Sequence, residues 1–173
     1  MKKLLLFSMM CLVTLGIASC DKDSKDTEPS DGDITPAGYV DLGLPSGTKW
    51  KDVNETNSND TCDFYTYDEA IEKFGSKLPT KVQWVELIDE CQWTWDDSKR
   101  GSKVVGPNGK SIFLPAAGRS DCSGNVCCVL SNGNYWSSTP DGSDDAWSHF
   151  FSSGDRHVLI SDQCSGRSVR LVQ

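Results

Sequence analysis

Histidine is nearly missing from this 173-residue chain, which has two. There is no HExxH, no CxxC and no glycine spacing suited to a phosphate loop, so the usual metalloprotease, dithiol-oxidoreductase and nucleotide-binding signatures are absent. Basic clusters are missing too: 17 Lys and Arg are scattered among 25 Asp and Glu, for a net charge of -8. Without a basic patch, nucleic acid is excluded as an expected partner. The N-terminal apolar run, residues 4–16, falls short of the about 20 residues that a membrane-spanning helix needs. What the chain does have is 15 glycines, six tryptophans and eight cysteines, in a length that suits one domain.

Lys2 and Lys3 ahead of that apolar run make residues 1–19 a secretory signal. The signal ends Ile17-Ala18-Ser19-Cys20, which resembles the lipobox of bacterial lipoproteins. The resemblance implies cleavage before Cys20 and acylation of it, with several acyl chains giving firm attachment to a membrane. Loss of residues 1–19 leaves 15 basic residues against 25 acidic, a balance of -10. Residues 20–35 then form a tether: positions 21–35 hold six acids, two lysines and a single large apolar residue, Ile34, too little to order a backbone. An acidic run directly after the anchor cysteine is similar to the export signal of surface lipoproteins in Bacteroidetes. The expected location is the bacterial outer membrane, lipid-anchored and facing the cell surface.

Residues 36–173 carry the folded domain. Thr66 with Glu69 and Thr80 with Gln83 are capping-box patterns. The first opens a short helix bearing Ala70, Ile71 and Phe74, with Gly75 where a left-handed C-terminal cap belongs. In the second, Trp84, Leu87, Ile88 and Cys91 recur as a one-sided stripe. After Gln92 the helical period gives way to short alternating runs between turn signals. Segments 102–105 and 111–114 form a hairpin in which Asn108-Gly109 is expected to supply the positive φ angles. Further strands are expected at 39–42, 135–138, 146–151, 157–160 and 168–172. Two early helices before a strand-rich half make an α+β domain.

Five blocks in order, YVDLGLPSGTKW (39–50), KLPTKVQWVELIDECQWTW (77–95), VVGPNGKSIFLPAAG (104–118), NYWSSTP (134–140) and GRSVRLV (166–172), resemble the Fibrobacter succinogenes major paralogous domain family. The resemblance implies a secreted or lipid-anchored protein with a C-type lectin-like fold, in which two short helices pack on antiparallel sheets with long irregular loops. That fold is shared with the formylglycine-generating sulfatase-modifying enzymes and hosts lectins, adhesins and enzymes alike, so it does not by itself assign an activity.

Catalysis has little to work with. Cys122 and Cys127 have the C-x4-C spacing of the formylglycine-generating thiol pair, but the arginine-rich strand of that site is missing around them. His149 alternates onto one face with Trp147 and Phe151 and is read as a packed histidine. No enzyme activity is expected. Beyond Cys11 and Cys20, six cysteines remain: Cys62, Cys91, Cys122, Cys127, Cys128 and Cys164, an even count that favours disulfides in an exported chain. Adjacent Cys127 and Cys128 are expected to bond different partners, while Cys91 on the helix stripe could equally be a buried free thiol. The spacings match no structural zinc module.

Recognition is expected on the late loops. The candidate ligand-binding residues are Asn134, Trp136, Asp144, Asp145 and Trp147. Asn132, Asn134, Asp141, Asp144 and Asp145 bring oxygen donors together, so calcium is possible, although the EPN, QPD and WND motifs of calcium-dependent sugar sites are missing; otherwise no cofactor is expected. Trp136 and Trp147 are stacking platforms or core residues, and Trp50, Trp84, Trp93 and Trp95 are read as core. The expected function is a surface-anchored binding module, adhesin or lectin-like, for a glycan or protein ligand. The alternative is a non-catalytic structural or assembly component of the cell envelope.

Overall fold

The computed structural model describes residues 38–60 and 62–173. The signal segment 1–19, Cys20 and the tether to residue 35 lie outside the described residues. Among the described residues no helix is long and apolar enough to cross a membrane.

The chain runs through β1 (Tyr39–Asp41), β2 (Lys49–Lys51), α1 (Tyr67–Phe74), a 3-10 turn (Gly75–Lys77), α2 (Lys81–Glu90), β3 (Gln92–Asp96), β4 (Gly101–Val105), β5 (Ser111–Pro115), β6 (Arg119–Ser120), β7 (Val126–Cys127), β8 (Gly133–Asp141), β9 (Asp145–Phe151) and β10 (Arg156–Asp162). The strands form two three-stranded antiparallel sheets, β3-β4-β5 and β10-β9-β8, and two-stranded pairs β1-β2 and β6-β7. This is an α+β domain with two short helices and several antiparallel sheets.

Both capping boxes form. The Thr66 hydroxyl accepts from the Glu69 amide at 3.4 Å while the Glu69 carboxylate accepts the Thr66 amide at 2.8 Å, and Thr80 with Gln83 does the same at 3.2 and 2.8 Å. Each box satisfies two orphan amides at its helix start. Gly75 has positive φ, but its ψ of -123° lies outside the left-handed basin, because the chain goes directly into the 3-10 turn. The β4-β5 loop corrects another expectation. Gly109 alone of the Asn108-Gly109 pair has positive φ, at +83°. Asn108 instead uses its side chain to reach β1, donating to the Asp41 carbonyl at 2.8 Å.

Residues 168–172 do not make a regular strand. Ser168 pairs with β8, through Trp136 N–H to the Ser168 carbonyl at 3.1 Å and Ser168 N–H to the Asn134 carbonyl at 3.0 Å. Lys51 then donates to the Leu171 carbonyl at 2.9 Å, and Lys49 and Gln173 exchange two bonds at 2.9 and 3.0 Å. The segment changes partner too often to build a ladder with any one of them.

Two clusters fill the interior, on opposite faces of β10-β9-β8. On one face Trp84 of α2 packs against Trp50 at 4.6 Å and stacks on His149 at 4.5 Å, with Leu87, Tyr135 and Phe151 around them. On the other, Trp136 packs with Tyr67, Ala70, Ala146 and Val169. Trp50, Trp84 and Trp136 are fully buried. Trp93 and Trp95 are half-buried against the first cluster, because β3 is an edge strand with β4 as its one partner. The Trp84 indole donates to the Trp136 carbonyl at 3.1 Å, joining α2 to β8. Arg170 is the unexpected core residue, fully buried and donating to Asn54 Oδ1, the Lys51 carbonyl and the Phe113 carbonyl at 2.9, 2.8 and 2.7 Å.

Candidate functional site

The β6-β7 hairpin turns at Asp121, whose carboxylate accepts the Ser123 and Asn125 amides at 2.8 and 2.9 Å and the Asn125 side chain at 2.9 Å. Those bonds, led by the Asn125 side chain, hold the Asp121 carboxyl below the usual range. Two links fasten the hairpin to the 162–167 turn: Ser120 and Gly166 exchange backbone bonds at 3.0 and 3.2 Å, and Cys122 is disulfide-bonded to Cys164 with Cα atoms 4.9 Å apart. Between hairpin, turn and β10 lies an open cleft of about 360 Å³, within the range of small-ligand sites.

Its walls differ in chemistry. Arg119 and Arg167 supply donors, Asp121, Asp145 and Asp162 supply acceptors, and Leu159 and Ile160 supply an apolar surface. Arg167 is 3% exposed. Its guanidinium lies 4.6 Å over the Trp136 ring and donates through Nη1 to the Ser165 hydroxyl. The buried Nε has no hydrogen-bond partner among the described residues. Burial, followed by the Arg119 charge, lowers the Arg167 pKa to about 10, which leaves it protonated at neutral pH. The Asp145 carboxyl is raised, by desolvation first and by the neighbouring Asp162 carboxylate next. Against the cleft, the buried hydroxyls of Ser148 and Ser161 bond each other at 2.8 Å.

Of the five expected ligand residues, Asp145 lines this cleft and Asp144 is its exposed neighbour. The others are placed differently. Trp136 is fully buried with its indole N–H on the Tyr65 carbonyl at 2.7 Å, so no ligand can stack on it. Asn134 is buried and donates to the Gly118 carbonyl at 3.4 Å, a contact that joins β8 to the residue before β6. Trp147 is half-buried on the α2 side, with Lys81 Nζ 3.2 Å from its ring centre, and is not part of the cleft. Alternation along β9 separates it from Ala146 and Ser148.

Among the described residues, no group of three or more His, Cys, Asp and Glu is placed to hold a metal ion. Cys62 is also disulfide-bonded, whereas Cys91, Cys127 and Cys128 are free thiols. The expectation that Cys127 and Cys128 reach different partners is corrected, since their sulfurs lie against each other at 3.0 Å. Cys91 is buried, and burial pushes its thiol pKa up to about 11. His149 is fully buried with no partner on either ring nitrogen among the described residues, and burial lowers its pKa to about 3.

A second hollow, of about 330 Å³, is lined by Asn57, Tyr65, Glu69 and Lys73. Two of its charged groups are already engaged, Lys73 donating to the Tyr65 hydroxyl at 3.2 Å and Glu69 closing the α1 capping box. The Arg167 cleft therefore has the stronger claim. Sequence reasoning missed Arg119, Arg167, Ser161 and Ser165. One signal was present, two arginines within the closing run GRSVRLV, since arginine enters an apolar strand only where something pairs with it. Comparison with protein-family models, with curated proteins and with solved structures returns no match for the chain.

Proposed function

We propose that the protein is a surface-anchored ligand-binding module with a C-type lectin-like fold, of the kind found in the Fibrobacter succinogenes major paralogous domain, and that the Arg119–Arg167 cleft takes a glycan. The observation that carries this reading is a cleft that sets the exposed Arg119 and the buried Arg167 against three carboxylates, Asp121, Asp145 and Asp162. Sugar hydroxyls both donate and accept, so they match walls that offer guanidinium on one side and carboxylate on the other. Leu159 and Ile160 offer a surface for the C–H face of the ring. Lipidation at Cys20 and the acidic tether would hold this cleft away from the outer-membrane surface.

The test is a glycan array probed with the disulfide-bonded protein and with Arg119→Gln and Asp162→Asn. A selective set of glycans should bind, each variant should weaken binding about tenfold, and Trp147→Ala should leave it unchanged. The same array in chelator tests calcium, and loss of signal there would restore a metal role for the Asp144–Asp145 loop. No binding to any glycan, with both variants indistinguishable from the parent in all assays, would overturn the reading and favour the envelope-assembly alternative.

A further inference from the structure

The two thiols that meet on the β6-β7 hairpin have no part in the proposed cleft chemistry. Cys127 is exposed at the end of β7, and Cys128 follows it in the left-handed region with φ +65°. That conformation is costly for a non-glycine residue unless the surroundings enforce it. Here they do. The Cys128 carbonyl accepts the Ser131 and Asn132 amides at 3.2 and 3.0 Å and the Ser131 hydroxyl at 2.9 Å. On the other side the backbone lies on Gly118, where an added Cβ would meet the Cys127 carbonyl oxygen at 2.4 Å. Held at both ends, the dipeptide points its two sulfurs at one another, 3.0 Å apart.

Two sulfur atoms that are not bonded normally stay farther apart, and a disulfide bond is about 2.05 Å long, so a short movement separates the dithiol from the closed ring. We propose that Cys127 and Cys128 are an oxidation site that closes to a vicinal disulfide, with a low-molecular-weight disulfide as oxidant. The exposed Cys127 attacks first as thiolate, forming a mixed disulfide and expelling one thiolate of the oxidant. Cys128, as thiolate, then attacks the Cys127 sulfur and expels the second. Two electrons pass from the protein thiols to the oxidant, whose two leaving thiolates take up the two protons. Adjacent Cα atoms are about 3.8 Å apart, closer than in ordinary disulfides, so the ring is more easily reduced than Cys122–Cys164. The inference is independent of what the cleft binds.

The full chain is equilibrated in glutathione buffers running from oxidised to reduced, quenched by alkylation, digested and weighed by mass spectrometry. In oxidised glutathione the peptide holding both residues should lack two hydrogens and take no alkyl group. In a mildly reducing buffer that leaves Cys122–Cys164 closed, alkylation of that peptide should rise about tenfold. Cys128→Ser should stop the reaction at a glutathione adduct on Cys127, and buried Cys91 should be unmodified in every native sample. Two freely alkylated thiols in oxidised glutathione, stable glutathione adducts on the parent protein, or a cross-link from either residue to another cysteine would each overturn the proposal.

Discussion

Arg170 and His149 are both fully buried, and their surroundings accommodate them differently. Arg170 spends its donors on β2, the Asn54 side chain and β5, so its charge is surrounded by three acceptors. His149 has no partner on either nitrogen among the described residues, and is accommodated by remaining neutral in its stack on Trp84. Its folded-state pKa of about 3 lies below the ordinary 6.5, so between those values the unfolded chain binds a proton that the folded one refuses. Stability is therefore intact above pH 6.5 and falls as pH drops toward 3, by up to about 1.4 kcal/mol per unit. In denaturant melts at pH 7 and pH 4.5, His149→Phe should show a drop in stability about 2–3 kcal/mol smaller than the parent's. Equal drops in the two proteins would mean that His149 is not the group being titrated.

Strand β8 depends on a close approach that its sequence conceals. A Cβ at Gly133 would lie 2.0 Å from the Phe151 ring across the β8-β9 pair, and that ring is fully buried with nowhere to retreat. Gly133→Ala should lower stability by about 3 kcal/mol in a urea melt, while Gly154→Ala, where the added carbon meets nothing within 4 Å, should leave the midpoint within about 0.5 kcal/mol of the parent. Both helices were legible because their signals are local: a hydroxyl and its partner three residues on, then an apolar stripe. The β4-β5 hairpin was legible for the same reason, although Asn108 serves β1 rather than the turn. The 167–173 segment was not, since its bonding is shared between β2, more than a hundred residues earlier, and β8, about thirty residues earlier. The cleft was least legible of all: Arg119 and Arg167 are brought together by the Ser120–Gly166 bonds and the Cys122–Cys164 link, none of which leaves a periodic trace. Trp136 reads as a platform or a core residue until the facing Tyr67 and Arg167 are known.

At the scale of the molecule, the Cys122–Cys164 disulfide joins positions 42 residues apart and closes the cleft on one side. Constraint of the unfolded chain by a loop of that length contributes about 4 kcal/mol in the chain-entropy account. The paired change Cys122→Ser with Cys164→Ser should move the thermal midpoint down accordingly, and a shift under about 1 kcal/mol would mean that the hairpin's other fastenings suffice. The closing segment has a different consequence. Its residues seal both aromatic clusters, Val169 and Leu171 one, Val172 the other. A chain made in order from its N-terminus thus carries Trp50, Trp84 and Trp136 in incomplete clusters until residues 167–173 have followed. A chain that stops before residue 167 should leave both clusters uncovered and be degraded rather than accumulate as a weakened copy of the protein.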